Sequence, residues 1–103
     1  MTPESVAEAA RLLATVRLSS EEIRKYKALR KVTMYFSGYI ARDADDPEVV
    51  AAISEILCNR EISRREHALD ELAVLGVDVS ELRQQIEQTE SMRSEAFDIF
   101  VAS

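Results

Sequence analysis

The chain has 103 residues, of which 47% are hydrophobic and 31% charged, and it contains only two glycines and two prolines. This length predicts a single domain over residues 1–103, and the shortage of glycine and proline disfavours a turn-rich β protein. No apolar run approaches the roughly 20 residues that a membrane span needs. One cysteine, Cys58, excludes an internal disulfide and predicts a cytoplasmic protein.

The net charge of −6 is divided unevenly along the chain. Residues 1–42 carry eight basic and four acidic side chains, a net +4, whereas residues 43–103 carry five basic and fifteen acidic ones, a net −10. Such asymmetry indicates either an electrostatic partner for one of the halves or mutual neutralisation of the two halves within the fold.

The first predicted helix begins at the N-terminus. Thr2 is a good N-cap, Pro3 suits the first helical position, and Glu4 places an acid in the first turn. The sequence predicts that this helix ends near Arg17, because Ser19 and Glu22 form a capping box that opens a second helix.

That second helix, Ser19–Asp43, is predicted to be the longest and the centre of the fold. It contains six of the thirteen basic residues and all three tyrosines, and it should end before Pro47. Apolar residues at the i, i+3, i+4 spacing predict its core-facing side: Tyr26, Leu29, Val32, Phe36, Tyr39 and Ile40.

Three shorter stretches complete the expected fold. A third helix starts at Asp46-Pro47-Glu48, with an inward side predicted at Val49, Val50, Ile53, Ile56 and Leu57, and with Cys58 outside that side. Ser63 to Glu66 is a second capping box that opens a fourth helix, and Gly76 is its predicted C′ residue. A fifth helix runs from Asp78 almost to the C-terminus, although Ile99 and Val101 do not fit its periodicity. The sequence therefore predicts an all-α protein, a compact bundle of about five helices.

The sequence gives little support for catalysis or metal binding. His67 is the only histidine, and Asp70 and Glu71 are three and four positions away. This spacing is a weak signal for a divalent metal site and is more typical of a solvated helix face. Cys58 and His67 could form a nucleophile pair only if the chain after Cys58 folds back. We therefore expect no enzyme activity, no cofactor and no metal.

One side of the predicted long helix favours partner binding. Seven residues, here called the basic stripe, follow this side: Arg24, Lys27, Lys31, Met34, Tyr35, Gly38 and Arg42. Met and aromatic residues together with Arg are enriched at interface cores, and a glycine inside a helix suits close approach of another backbone. The alternative is an ordinary solvated face with a kink at Gly38.

The sequence therefore predicts a small acidic protein–protein interaction module, such as an adaptor, inhibitor or regulator, which binds an acidic protein surface and forms a homodimer. The runner-up is a nucleic-acid or anionic-ligand binding protein that uses the same stripe. The net charge of −10 over residues 43–103 opposes nucleic acid, because contacts with phosphates dominate its affinity.

Overall fold

A computed structural model describes residues 2–36, 40–91 and 97–102, with the backbone alone described at positions 34–36, 40–44, 97 and 100–102. These residues form three helices and a three-stranded sheet: α1 (Pro3–Lys27), β1 (Leu29–Phe36), β2 (Ile40–Ala44), α2 (Pro47–Val74), α3 (Ser80–Glu90) and β3 (Phe97–Ala102). The mostly helical prediction is confirmed, whereas the five-helix bundle is wrong.

Helix α1 begins as predicted but continues ten residues further. The Thr2 hydroxyl oxygen accepts a hydrogen bond from the backbone N–H of Ser5 at 3.1 Å, so Thr2 is the N-cap. Ser19 and Ser20 lie inside the helix and are 2% and 8% exposed. The capping box at Ser19 therefore starts no helix, because both serines are buried within a continuous α1.

The predicted helix Ser19–Asp43 is wrong beyond Lys27, where α1 ends and two strands follow. Its second half is rich in β-branched and aromatic residues such as Val32, Thr33 and Ile40, which favour extended backbone. Strand β1 pairs antiparallel with β2, with Phe36 opposite Ile40. In the sequence, Ser37-Gly38 is a dipeptide typical of turns that the helical interpretation overlooked, and it lies outside the described residues.

Helix α2 merges the predicted third and fourth helices into 28 residues. Its N-cap is Asp46, whose carboxylate accepts a hydrogen bond from the N–H of Glu48 at 2.9 Å, as predicted. Gly76, with φ of +91°, is the predicted C′ residue. The N–H groups of Gly76 and Val77 donate to the carbonyls of Ala73 and Leu72, both at 3.0 Å, which is a Schellman motif.

The two long helices form an antiparallel hairpin. Polar contacts join Ser20 to Arg65 and the end of α1 to Ser54, so residue numbers rise on one helix as they fall on the other. One cluster of the apolar core lies toward the opposite end of the hairpin and is formed by Ala9, Leu12, Val16, Ala68, Leu69 and Leu72. Helix α3 adds Leu82 and Ile86 to its edge but has no fully buried residue.

The last predicted helix is also too long, because α3 ends at Glu90 and residues Phe97–Ala102 form β3. This strand pairs parallel with β1, with Leu29 opposite Phe97 and Val32 opposite Ile99, and the sheet order is β2-β1-β3. The apolar alternation at Ile99 and Val101 is therefore the period of a strand.

The molecule is elongated, with extents of 54 × 30 × 18 Å and a radius of gyration of 16.9 Å. A compact chain of about 100 residues has a radius of gyration near 13 Å, so the predicted compactness is wrong. The smallest extent is about the thickness of two packed helices. Because so thin a molecule has little interior, large apolar side chains stay exposed, including Leu18, Ile56 and Val74. Among the described helices, none combines the length and apolar character of a transmembrane segment.

Candidate interaction surface

The residues of the basic stripe are spread over three elements instead of one helix side. Arg24 and Lys27 belong to α1, Lys31, Met34 and Tyr35 to β1, and Arg42 to β2, while Gly38 lies outside the described residues. The sheet register brings Met34 opposite Arg42, and Lys31 opposite Asp98 of β3. Binding by these residues stays a prediction, but they do not share the side of a single helix.

Arg24 and Lys27 are in different surroundings at the end of α1. The Arg24 Nε atom is buried without a hydrogen-bond partner among the described atoms, and the residue is half-buried. Lys27 is exposed in the last turn, where a cation interacts favourably with the helix dipole. Of these two members of the stripe, Lys27 is the one presented to solvent.

Lys27 lines an open groove of about 700 Å³ between the α1–β1 junction and the first half of α2. Apolar surface makes up most of its lining, although six of the twelve residues are polar or charged. The lining residues are Lys27, Leu29, Arg30, Asp45, Pro47, Val50, Ala51, Ser54, Glu55, Cys58, Asn59 and Ile62. This size and lining are typical of a binding site in proteins. Sequence reasoning missed the groove because its walls come from separate parts of the chain, 15 or more residues apart, and meet only through the helical hairpin.

Two contacts from α2 fix the wall at the end of α1. Ser54 Oγ donates to the carbonyl of Tyr26 at 2.6 Å, and Cys58 Sγ lies 3.8 Å from the carbonyl of Ile23 as a weak donor. Carbonyls in the last turn of a helix lack intrahelical partners, so Ser54 supplies one that the helix does not. Cys58 is 7% exposed, which corrects the prediction that it lies outside the inward side of its helix.

Arg30, in the β1 part of the same wall, pairs with Asp98 of β3. Its Nε and NH2 atoms donate to the two carboxylate oxygens of Asp98 at 3.2 and 2.9 Å. This hydrogen-bonded pair lowers the pKa of Asp98 below its ordinary value and raises that of Arg30. Arg30 and Lys27 are the two cations that line the groove, and Arg30 is paired with Asp98. Lys27 has no ion pair within the described part of the chain.

The outer face of α2 is apolar and uncovered. Val49 is 44% exposed and Ile56 68% exposed, and Ile53 between them is half-buried. Of the predicted inward side, Val50 is buried as predicted, whereas Val49 and Ile56 are exposed. Cys58 and Leu69 are turned inward as well. An apolar helix face left at the surface is a common mark of protein interaction.

A polar cluster fills the middle of the hairpin. Arg65 is 7% exposed and its NH1 atom donates to Glu90 of α3 and, at 3.4 Å, to Ser20 of α1. Glu61 is 3% exposed and is contacted by Arg64 NH1 at 3.2 Å. Burial, followed by the hydrogen bond with Glu22, raises the pKa of nearby Tyr26 above its ordinary value.

His67 and Cys58 cannot act together. Nine residues of continuous α2 separate them, and at 100° per residue they lie on opposite sides of the helix. The exposed His67 Nε2 atom is 3.2 Å from the Glu71 carboxylate. Among the residues that the structure describes, no group of three or more His, Cys, Asp or Glu side chains is arranged to hold a metal ion.

No protein-family model, curated protein or solved structure matches this chain.

Proposed function

We propose that this protein is a protein–protein interaction module that binds an apolar segment carrying an acidic residue, and that it acts as a homodimer. The groove between the α1–β1 junction and α2 supports the first part of this proposal. It is open along one side, and Leu29, Val50 and Ile62 provide an apolar lining for side chains of a partner.

Charge at the groove supports an acidic residue in the bound segment. Lys27 stands on the α1 wall, whereas Asp45 and Glu55 belong to the α2 side. An acidic residue of the partner would pair with Lys27 and be repelled by the carboxylates on the other side, so the segment would bind in one direction. Charges at a rim set orientation and association rate more than affinity.

The test uses a phage-displayed library of random peptides selected against the immobilised protein. We expect the selected sequences to share an apolar anchor next to Asp or Glu. Ala51 is exposed and lines the groove, so Ala51→Arg should abolish binding of a selected peptide without disturbing the core. Ala14→Arg, at an exposed position of α1 outside the groove, is the matched control and should bind as the wild type does.

Lys27→Glu should weaken binding of the selected peptides and reduce its salt dependence, because one charge pair is removed. Peptides without acidic residues would refute the proposed role of charge. Equal binding to the Ala51→Arg and Ala14→Arg variants would refute the groove as the site. Tight, salt-dependent binding of a mixed-sequence oligonucleotide at physiological salt would favour the nucleic-acid alternative instead.

A further inference from the structure

The outer face of α2 contains a second surface, separate from the groove. Four residues of its first half, here called the α2 patch, form an apolar area: Val49, Ala52, Ile53 and Ile56. Val50, Ala51 and Ser54 on the opposite side of the same helix line the groove. A protein bound to the α2 patch therefore leaves this lining open, and Asp45, at the end of the groove, is the residue that the two surfaces share.

Charges of opposite sign flank the α2 patch along the helix axis. Asp45, Asp46 and Glu48 are exposed at its N-terminal end. Arg60 and Arg64 are exposed at its C-terminal end, where both approach the single carboxylate of Glu61, at 3.8 and 3.2 Å. Because two guanidinium groups share one carboxylate, this end keeps a positive charge.

This pattern is self-complementary. When two copies of the helix pack antiparallel, the acidic end of each patch meets the basic end of the other, and both contacts form at once. A parallel pair would place like charges together. A two-fold interface uses the same surface on both subunits. A patch with an apolar centre and oppositely charged ends is complementary to itself and meets this requirement.

We propose that the α2 patch is the dimer interface, with two α2 helices antiparallel about a two-fold axis near Ala52 and Ile53. In this arrangement Val49 packs against Ile56 of the second copy, and Arg60 lies near Asp45 of the second copy. This inference rests on the self-association proposed above and adds its surface and geometry. The patch spans only about two helical turns, roughly 10 Å, so we expect a dimer of micromolar affinity.

Sedimentation equilibrium of the full chain tests the interface. Ile56→Glu introduces a charge at the apolar centre and should weaken the dimer by about 30-fold or more, as loss of a central contact does. Leu18→Glu is the matched control, because Leu18 is 62% exposed on α1 and Ile56 is 68% exposed on α2. The control should leave the dimer unchanged.

A charge exchange tests the antiparallel geometry without altering the apolar centre. Arg60→Asp and Asp45→Arg should each weaken the dimer several-fold, and the double variant should restore it. A wild-type protein that is monomeric at about 100 μM would overturn both self-association and this interface, while peptide binding in the groove would be unaffected. A dimer that survives Ile56→Glu, or single charge variants that the double variant does not rescue, would overturn the interface alone.

Discussion

The pair formed by Arg65 and Glu90 predicts a large and specific stability effect. The Arg65 side chain is 8% exposed and that of Glu90 23% exposed, and their contact joins α2 to the end of α3. Glu90→Gln keeps the shape of the side chain and removes its charge. The Arg65 guanidinium then stays buried, with the Ser20 hydroxyl as a remaining neutral partner at 3.4 Å.

Breaking a buried ion pair from one side costs roughly 3–5 kcal/mol. Two features reduce that cost here: Glu90 keeps some contact with solvent, and an acid at a helix C-terminus is itself unfavourable by about 0.5 kcal/mol. We therefore expect Glu90→Gln to lower the free energy of unfolding by about 2–3 kcal/mol. For a domain of this size that corresponds to a decrease in Tm of roughly 8–24 °C.

Glu66→Gln is the matched control for this prediction. Glu66 pairs with Arg83, also between α2 and α3, but both side chains are more than 40% exposed. Removing this surface pair should cost less than about 1 kcal/mol. The measurement is urea unfolding followed by circular dichroism. Equal losses for the two variants, or a loss below about 1 kcal/mol for Glu90→Gln, would refute the argument that burial makes the Arg65 pair costly to break.

The double variant Arg65→Met with Glu90→Leu provides a further check. It removes both charges together, so no buried charge is left without a partner, and it should recover most of the lost stability. A double variant that is less stable than Glu90→Gln would mean that the pair stabilises the fold by its net attraction.

Three further results are expected. Leu72→Ala, at a side chain that is 0% exposed in the core, should lower the free energy of unfolding by about 2–5 kcal/mol in urea titrations, and a loss below about 1 kcal/mol would contradict that core. Gly76→Ala should cost about 1–2 kcal/mol by thermal unfolding, because φ is +91° while the added Cβ meets no atom within 4 Å; a gain in stability would refute this strain. The Asp98–Arg30 pair should stabilise the fold fully above the unfolded pKa of Asp, near 3.9, and this contribution should be lost as pH falls through the lower folded pKa. Asp98→Asn should therefore reduce the loss of unfolding free energy between neutral and acidic pH, and an unchanged loss would refute the contribution of the pair.

Local sequence determined the features that depend on a few neighbouring residues. The caps at Thr2 and Asp46 and the left-handed residue Gly76 are found where the sequence predicts them. Each depends on hydrogen bonds or backbone freedom within about four residues, so no distant contact is needed to specify it. The mostly helical character follows equally from residue preferences summed along the chain.

Only the tertiary structure decided which of the local signals were used. Ser19 and Ser63 have the same capping pattern as true helix starts, yet both lie inside long helices, where packing of α1 on α2 outweighs the pattern. Strand β1 has apolar residues that also fit a helix, and it becomes a strand because β2 and β3 provide its hydrogen-bond partners. β3 is more than 60 residues away along the chain, so no local pattern could reveal that pairing.

The candidate surfaces depend on the same long-range contacts. The groove forms because the hairpin brings Lys27 and Leu29 beside Val50 and Ile62. The apolar spacing of α2 was visible in the sequence, but which of its sides is buried depends on where α1 packs. That choice turned Val50 and Cys58 inward and left Ile56 at the surface, because α1 covers only one side of a helix that is apolar on two.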